Sequence, residues 1–193
     1  MFWGVHMLII MSGSAGVGKN TIINELLSEY NNLTLMTTVS TRAMRPGEEQ
    51  GKPYFFVSRE EFDAMVERGE MLETCPIHGN MYGSSRKILE EKTAEGKILI
   101  KDIDVEGTLN LKKLLPDVVA VYLKPKSKEQ LRERLIGRGE KDIELRLKRY
   151  EYEEEMSKHY DYVLINDDMQ ETLSALREIF EKETKSRGLS LTR

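Results

Sequence analysis

The most informative stretch of this sequence is a glycine-rich segment that contains a lysine, residues 12–21 (SGSAGVGKNT). A short apolar run, Leu8-Ile9-Ile10-Met11, precedes it and an amphipathic segment follows, so the local order is strand, loop, helix. The three glycines let the backbone N–H groups point inward as an anion-binding nest. The dipole of the following helix and the charge of Lys19 add to that attraction. The sequence therefore predicts a phosphate-binding loop.

The segment departs in one position from the nucleotide-binding pattern G-x-x-x-x-G-K-[ST]. Asn20 follows the lysine, and the hydroxyl of Thr21 comes one step later. A plain glycine turn between strand and helix is the simpler alternative, but the lysine and the strand–helix context disfavour it. The residues that we expect to contact a nucleotide phosphate are Ser14, Ala15, Gly16, Val17, Gly18, Lys19, Asn20 and Thr21.

Composition excludes several classes of protein. The chain has 193 residues, enough for one domain, and no apolar run approaches the roughly 20 residues of a membrane helix. Its single cysteine, Cys75, rules out an internal disulfide framework and fits a reducing cytoplasm, and we expect no signal peptide. A formal net charge of −4 argues against nonspecific nucleic-acid binding as the main role. We therefore expect a cytoplasmic protein with no membrane or nucleic-acid partner.

Strands and helices alternate along most of the chain, which predicts a mainly parallel sheet with helices on both faces. Residues 35–84 break this pattern, because they are strand-rich with hairpin signals and look like an insertion. The polar tail at the C-terminus is expected to be frayed. In such sheets ligands bind at the carboxyl ends of the strands, which draws attention to the glycine loop and to Asp102, Asp104 and Asn166.

Two acids follow an apolar strand, and their spacing places Asp102 and Asp104 on one face of it. An acid at that edge can hold Mg²⁺-bound water, a ribose or a base group. Capping of the next helix is the alternative for Asp104.

A polar loop carries two arginines, Arg42 and Arg45, shortly after Thr38. The guanidinium fork binds pairs of phosphate oxygens better than an ammonium does, and Tyr54 and Tyr82 offer further hydroxyls in the same part of the chain. From spacing alone, two solvated loop charges are an equally good interpretation.

Glu73 and Ser84 flank a predicted hairpin, the glutamate on one strand and the hydroxyl just past the second. Such a pair matches guanine, because the carboxylate can accept from N1–H and the 2-amino group while the hydroxyl donates to O6. Adenine lacks those two donors and would be rejected. From the residues alone, an exposed strand glutamate is the simpler interpretation.

Four arginines surround a helix break at a G-R-G sequence, namely Arg134, Arg138, Arg146 and Arg149. A closing segment that carries arginines can neutralise charge on a transferring phosphoryl group. Arg138, between two glycines, and Arg146 are the stronger candidates, since charged helix faces are usually only solvated. On the same grounds residues 153–155, three consecutive glutamates, are interpreted as a solvated helix face.

With these residues assembled, the chain resembles the guanylate kinase family, whose members phosphorylate GMP with ATP, over roughly residues 8–180. The motifs that agree in order are the glycine loop, 40–48 (STRAMRPGE), 51–57 (GKPYFFV), Glu73, 78–84 (HGNMYGS), 102–107 (DIDVEG), 137–139 (GRG), 146–147 (RL) and 166–168 (NDD).

The resemblance implies a P-loop three-layer α/β fold with a mainly parallel sheet, a small strand-rich GMP-binding insertion and a helical lid. The implied divisions are a core of residues 7–34, 86–126 and 160–185, an insertion of 35–85, a lid region of 127–159, and termini of 1–6 and 186–193.

The resemblance also implies roles for single residues. The implied contacts of the GMP phosphate are Thr38, Arg42, Arg45, Tyr54 and Tyr82. The implied contacts of guanine are Glu73 and Ser84, assisted by Asp102 and Asp104. The implied catalytic cations are Lys19, Arg138 and Arg146, and the implied adenine contact is Asn166.

Family membership would bring Mg²⁺ with ATP as cofactor, ATP and GMP (with dGMP) as substrates, and a monomer or homodimer. Asn20 leaves hydroxyl ligation of the magnesium open, and a short segment after the G-R-G sequence leaves Arg146 and Arg149 as alternatives. Two other functions remain open. A non-catalytic guanylate-kinase-like peptide-binding module generally loses the loop and its lysine. A nucleoside monophosphate kinase of other base specificity is disfavoured by Glu73 and Ser84.

Overall fold

Nine strands form two sheets in the computed structural model, which describes residues 7–52, 54–77 and 79–193. The larger sheet contains β1 (Leu8–Gly13), β2 (Leu33–Leu35), β7 (Ile98–Asp102), β8 (Val119–Lys124) and β9 (Tyr162–Ile165). All its strands are parallel, in the order β2-β7-β1-β8-β9. The smaller sheet contains β3 (Thr38–Ser40), β4 (Tyr54–Phe56), β5 (Met71–Ile77) and β6 (Asn80–Ser85), in the order β4-β3-β6-β5.

Seven α-helices connect these strands within the described ranges. They are α1 (Lys19–Glu29), α2 (Arg59–Glu67), α3 (Arg86–Ala94), α4 (Val105–Leu114), α5 (Lys128–Gly137), α6 (Ile143–Met156) and α7 (Met169–Ser186). Serine side chains set three of the starts, since Ser58, Ser85 and Ser127 accept hydrogen bonds from backbone N–H groups of the first turns of α2, α3 and α5. None of the seven helices is long and apolar enough to cross a membrane.

Helices cover both faces of the larger sheet. Alternate residues of the central strand β1 belong to two separate buried clusters, as expected for a strand buried on both sides. Ile9 packs with residues of α1 and α7, whereas Ile10 packs with Leu89 of α3 and Leu111 of α4. The predicted three-layer α/β fold with a mainly parallel sheet is therefore confirmed.

The smaller sheet lies within the predicted insertion and occupies residues 38–85. The first residue assigned to the insertion, Leu35, belongs instead to β2, which pairs with β7 in the larger sheet. β5 and β6 form the predicted hairpin, and β3 joins it antiparallel to β6. His78, part of the hairpin motif, lies outside the described residues.

A β-bulge in β5 changes which side chains of the hairpin meet. The pairing with β6 shifts by one residue between Met71, opposite Ser85, and Glu73, opposite Ser84. The extra residue is Leu72, which is 4% exposed and packs in the hydrophobic core. The bulge therefore anchors β5 in the core and sets Glu73 opposite Ser84.

The C-terminal tail is docked, so the expectation that it is frayed is wrong. Leu189 and Leu191 pack against the core cluster on the α1 and α7 side of the sheet. Asn31 N donates to Thr192 O at 2.7 Å, and Thr192 N donates to Asn32 Oδ1 at 2.9 Å. Two leucines and a set of backbone hydrogen bonds hold a segment whose composition alone is polar.

Candidate active site

The phosphate loop joins the end of β1 to the start of α1. Gly16 and Gly18 take φ angles of 92° and 102°, which residues with a side chain rarely adopt. Gly13 allows a close approach as well, since a Cβ there would lie 2.2 Å from the carbonyl oxygen of Leu123 in β8. The loop thus follows the tight, glycine-dependent path that a phosphate nest requires.

Lys19, the first residue of α1, lies across the loop. Its Nζ donates to Gly13 O at 2.6 Å and stands 3.8 Å from Asp102 Oδ1 at the end of β7. Burial raises the pKa of Asp102, and the nearby ammonium groups of Lys19 and Lys101 oppose that rise. The cation of the loop and the acid of the strand edge are therefore neighbours, as the strand-end rule predicts.

An open cleft of about 290 Å³ lies beside the loop. Its lining consists of Gly16, Val17, Gly18, Thr21, Ile22, Arg134, Arg138, Asn166, Asp167 and Met169. Arg138 follows directly after α5, so the end of that helix and the start of α7 form the walls that face the loop. The structure therefore brings two predicted residues, Arg138 and Asn166, to the glycine loop. Ala15 and Asn20 are exposed on the same loop.

Asn166, predicted to contact adenine, is only 6% exposed and already holds the loop. Its Nδ2 donates to Val17 O at 2.7 Å, and its Oδ1 accepts from Thr172 Oγ1 at 3.0 Å. A Cβ at Gly18 would lie 2.8 Å from the same Nδ2. The amide therefore positions the loop at the edge of the cleft.

Arg134, which the sequence ranked below Arg138 and Arg146, contacts the loop directly. Its Nη1 donates to Val17 O at 3.2 Å and its Nη2 donates to Asn166 O at 3.0 Å. Arg146 instead pairs with Glu140, Nε to Oε2 at 3.5 Å. In this structure Arg134 and Arg138 are at the cleft, and the position of Arg146 as a catalytic cation remains a prediction.

Glu153 is not part of a solvated helix face, so that interpretation of residues 153–155 is wrong for its first member. Glu153 is 6% exposed, accepts from Ser14 Oγ at 2.8 Å, and pairs with Arg149 Nε at 2.9 Å. The sequence offered no signal for this burial, because tertiary packing alone determines which of three consecutive glutamates is buried. The contact ties the loop to α6.

Asp104 caps α4, so the expectation that it shares a strand face with Asp102 is wrong. β7 ends at Asp102, and Asp104 Oδ1 accepts from Gly107 N at 2.9 Å. Its other oxygen, Oδ2, accepts from Arg149 Nη2 at 3.1 Å. The capping alternative considered from the sequence is thus the observed one.

Arg42 lies in a cage of aromatic rings and a carboxylate. Its guanidinium donates to both oxygens of Glu48, at 2.7 and 2.5 Å, and lies 5.0 Å from the ring centroids of Tyr54 and Phe56. Glu48 Oε2 also accepts from Arg45 N at 2.7 Å. These contacts bring the pKa of Glu48 down to about 2, with the Arg42 hydrogen bonds as the main cause.

The two arginines of this loop, Arg42 and Arg45, differ in exposure. The Arg42 side chain is 11% exposed, so it is not a solvated loop charge, whereas Arg45 is exposed. Tyr54 and Tyr82 lie edge to face with centroids 6.1 Å apart. Glu48 was absent from the predicted site, although its place in the S-T-R-A-M-R-P-G-E motif was a signal that could have found it.

Glu73 and Ser84 meet as predicted, because Ser84 Oγ donates to Glu73 Oε1 at 2.5 Å. Ser84 is also opposite Thr38 in the β3–β6 pairing. Lys101 Nζ donates to Thr38 Oγ1 at 3.1 Å, and Lys101 is 2% exposed. Burial lowers the pKa of Lys101, while the charges of Glu73 and Asp102 raise it. Sequence reasoning missed this lysine, although a charged residue inside the run I-L-I-K-D was a visible signal.

The described residues contain no group of three or more His, Cys, Asp or Glu side chains that could hold a metal ion. Oxygen-bearing side chains are nevertheless present at the loop, where Asn20 and Thr21 are exposed. Mg²⁺ in phosphoryl-transfer sites is bound largely by substrate phosphates and water, so this donor set fits such an ion.

A phosphate loop after the first parallel strand, its lysine beside a strand-end carboxylate, and an adjoining cleft define a P-loop nucleotide-binding protein. Comparisons with known proteins narrow this class. Residues 6–183 match the family model described as guanylate kinase. The chain belongs to the guanylate kinase family.

Individual relatives agree with that assignment. Guanylate kinase of Thermotoga maritima is 38% identical over 179 residues, which cover 91% of this chain and 86% of the relative. Guanylate kinase of Halalkalibacterium halodurans is 39% identical over 180 residues, covering 92% and 88%. The crystal structure of guanylate kinase from Anaplasma phagocytophilum has a TM-score of 0.71 and 34% identity, covering 95% of this chain and 88% of that chain. The non-catalytic alternative is therefore not favoured.

Proposed function

We propose that this chain transfers the γ-phosphoryl group of ATP to GMP, giving ADP and GDP. The observation that carries the choice of GMP is the hydrogen bond between Ser84 and Glu73, which sets a carboxylate and a hydroxyl side by side in the insertion sheet. Guanine presents two donors, N1–H and the 2-amino group, to a carboxylate and one acceptor, O6, to a hydroxyl. Adenine presents a donor where O6 stands, so it would leave this pair unsatisfied.

The phosphate of GMP would bind at Arg42, Arg45, Tyr54, Tyr82 and Thr38. Glu48 supports this assignment, because its carboxylate already occupies the guanidinium fork of the Arg42 side chain. A phosphate dianion is a comparable bidentate acceptor and can take over or share those donors. Glu48 therefore holds the Arg42 guanidinium in place beside Tyr54 and Phe56.

On the ATP side, the glycine loop would hold the triphosphate, Lys19 would neutralise charge on the transferring group, and the cleft beside Asn166 would take the base. The acceptor oxygen of GMP is anionic near neutral pH, so no general base is needed. Catalysis then consists of orientation and charge stabilisation by Lys19, Arg138 and Arg146. Closure of the lid region, 127–159, would exclude water, which otherwise competes as acceptor.

Magnesium bound to ATP supplies charge neutralisation along the phosphates. Asn20 and Thr21 are the loop side chains that would lie beside it, with phosphate oxygens and water as its main ligands. The loop backbone and Lys19 bind and orient the phosphates themselves.

A coupled assay with ATP and each of AMP, CMP, UMP, GMP and dGMP tests the proposal. We expect turnover with GMP and dGMP only. Glu73→Gln should lower kcat/KM for GMP by about 10²-fold or more, because its amide cannot accept from both guanine donors. Glu67→Gln, at the exposed end of α2, is the matched control and should be unchanged. Equal use of AMP and GMP by the unmutated protein, or an intact GMP preference in Glu73→Gln, would refute the assignment.

A further inference from the structure

Lys101 is a buried cation that belongs neither to the phosphate loop nor to the proposed guanine contacts. It is 2% exposed and stands in β7 directly before Asp102. Ile100 of the same strand belongs to the core cluster on the α1 and α7 side, whereas Leu99 belongs to the cluster that includes Leu72 of β5. Because side chains alternate along a strand, Lys101 shares the face of Leu99, toward the insertion sheet.

The surroundings of Lys101 are the residues assigned to GMP. Its Nζ donates to Thr38 Oγ1 at 3.1 Å, and Thr38 is opposite Ser84, the hydrogen-bond donor to Glu73. Glu73 and Asp102 are the negative charges that act on its ammonium. Lys101, from the larger sheet, therefore contacts the β3–β6 strand pair that carries the proposed guanine contact Ser84.

Among the described residues, the Lys101 ammonium makes fewer hydrogen bonds than its three donors allow. An ammonium has three donors, and within the described ranges Thr38 Oγ1 is the acceptor that it reaches. A charge buried against one neutral acceptor disfavours folding unless opposite charges compensate it. A hydroxyl that accepts from an ammonium also directs its own proton away, which makes Thr38 a donor toward the site.

We propose that Lys101 is a positioning residue of the GMP half of the site, an inference that rests on the function proposed above. Its ammonium presents the Thr38 hydroxyl as a donor and balances the Glu73 and Asp102 carboxylates when a bound nucleotide removes them from water. Desolvated carboxylates repel one another strongly, and a fixed cation beside them offsets that repulsion. Lys101 thereby contributes to GMP affinity and not to the ATP side.

Two substitutions test this role. Lys101→Met removes the charge and the donor at similar volume, and Lys101→Gln keeps a donor for Thr38 without the charge. In both we expect KM for GMP to rise about tenfold or more, with KM for ATP within about twofold. The melting temperature of Lys101→Met should stay equal or rise, since a buried charge becomes apolar. Lys113→Met, an exposed lysine of α4, is the matched control and should change none of these.

A double-mutant cycle separates positioning from packing. Glu73→Gln should cost less GMP affinity in the Lys101→Met background than in the unmutated protein, because the cation that offsets the Glu73 charge is already absent. An unchanged KM for GMP in both Lys101 variants overturns the proposal. So does a rise in both KM values together with a lower melting temperature, which would indicate a structural role. Absence of GMP turnover in the unmutated protein would instead refute the proposed function.

Discussion

Ser14 in the phosphate loop donates a hydrogen bond to Glu153 in α6 at 2.8 Å, across 139 positions of sequence. Glu153 also accepts from Arg149, which in turn donates to Asp104 and Glu106 at the start of α4. One buried carboxylate thus links the loop, the helix of the predicted lid region and the helix that follows β7. The Ser14 hydroxyl of the phosphate loop is therefore held by a side chain of α6.

Substitution of Glu153 tests this link. Glu153→Gln weakens the acceptor for Ser14 and removes the charge partner of Arg149. We expect the free energy of unfolding to fall by about 1–3 kcal/mol, because the carboxylate is buried while the arginine is half exposed. We also expect a higher KM for ATP. Urea denaturation and steady-state kinetics measure both, with Glu155→Gln, exposed on the same helix, as control. Equal stability of the two variants would contradict the link.

Lys19→Met should abolish most turnover while the fold remains. The ammonium contacts Gly13 O and Asp102, and neither contact is part of the hydrophobic core. Loss of the loop cation should lower kcat about 10³-fold or more, since preorganised charge at the transferring group is a large part of catalysis. Lys52→Met, an exposed lysine of the insertion, should keep full activity. Substantial turnover in Lys19→Met with normal circular dichroism would exclude the assigned role.

Asn20→Ser should leave the magnesium requirement nearly unchanged. Asn20 is exposed, and the ion is expected to be bound mainly by ATP phosphates and water. We expect the Mg²⁺ concentration for half-maximal activity to move by less than about threefold. Asn24→Ser, one turn later and also exposed, is the matched control. A many-fold gain of activity in Asn20→Ser alone would show that a hydroxyl ligand is missing from this loop.

The Glu48 carboxyl should titrate far below its usual range. Hydrogen bonds from Arg42, and then from Arg45 N, lower its pKa from 4.5 to about 2. Because the folded pKa lies below the unfolded value, the pair supports the loop above about pH 4.5, and that support is lost as the pH falls toward 2. Carbon-13 NMR of the carboxyl group measures this directly. Arg42→Met should move the midpoint up, and a midpoint near 4.5 in the unmutated protein would contradict the pairing.

Much of the fold followed from local sequence chemistry. The glycines and the lysine of residues 12–21 predicted the loop and the start of α1, and serine side chains next to α2, α3 and α5 cap those helices. Charged residues were harder to assign. Glu153 and Arg134 were interpreted as solvated, and Lys101 was missed, because the burial of a charge depends on segments that pack over it from elsewhere in the chain.

The phosphate loop and the alternation of strands and helices could be predicted from the amino-acid sequence alone. Both features depend on interactions between residues that are close in sequence. How these parts meet depends on tertiary packing. The bulge at Leu72 aims Glu73 at Ser84, and packing brings Glu153 to Ser14 and Lys101 to Thr38. These contacts join residues that are far apart in sequence. They form because packing buries the side chains together, and no local sequence pattern encodes that burial.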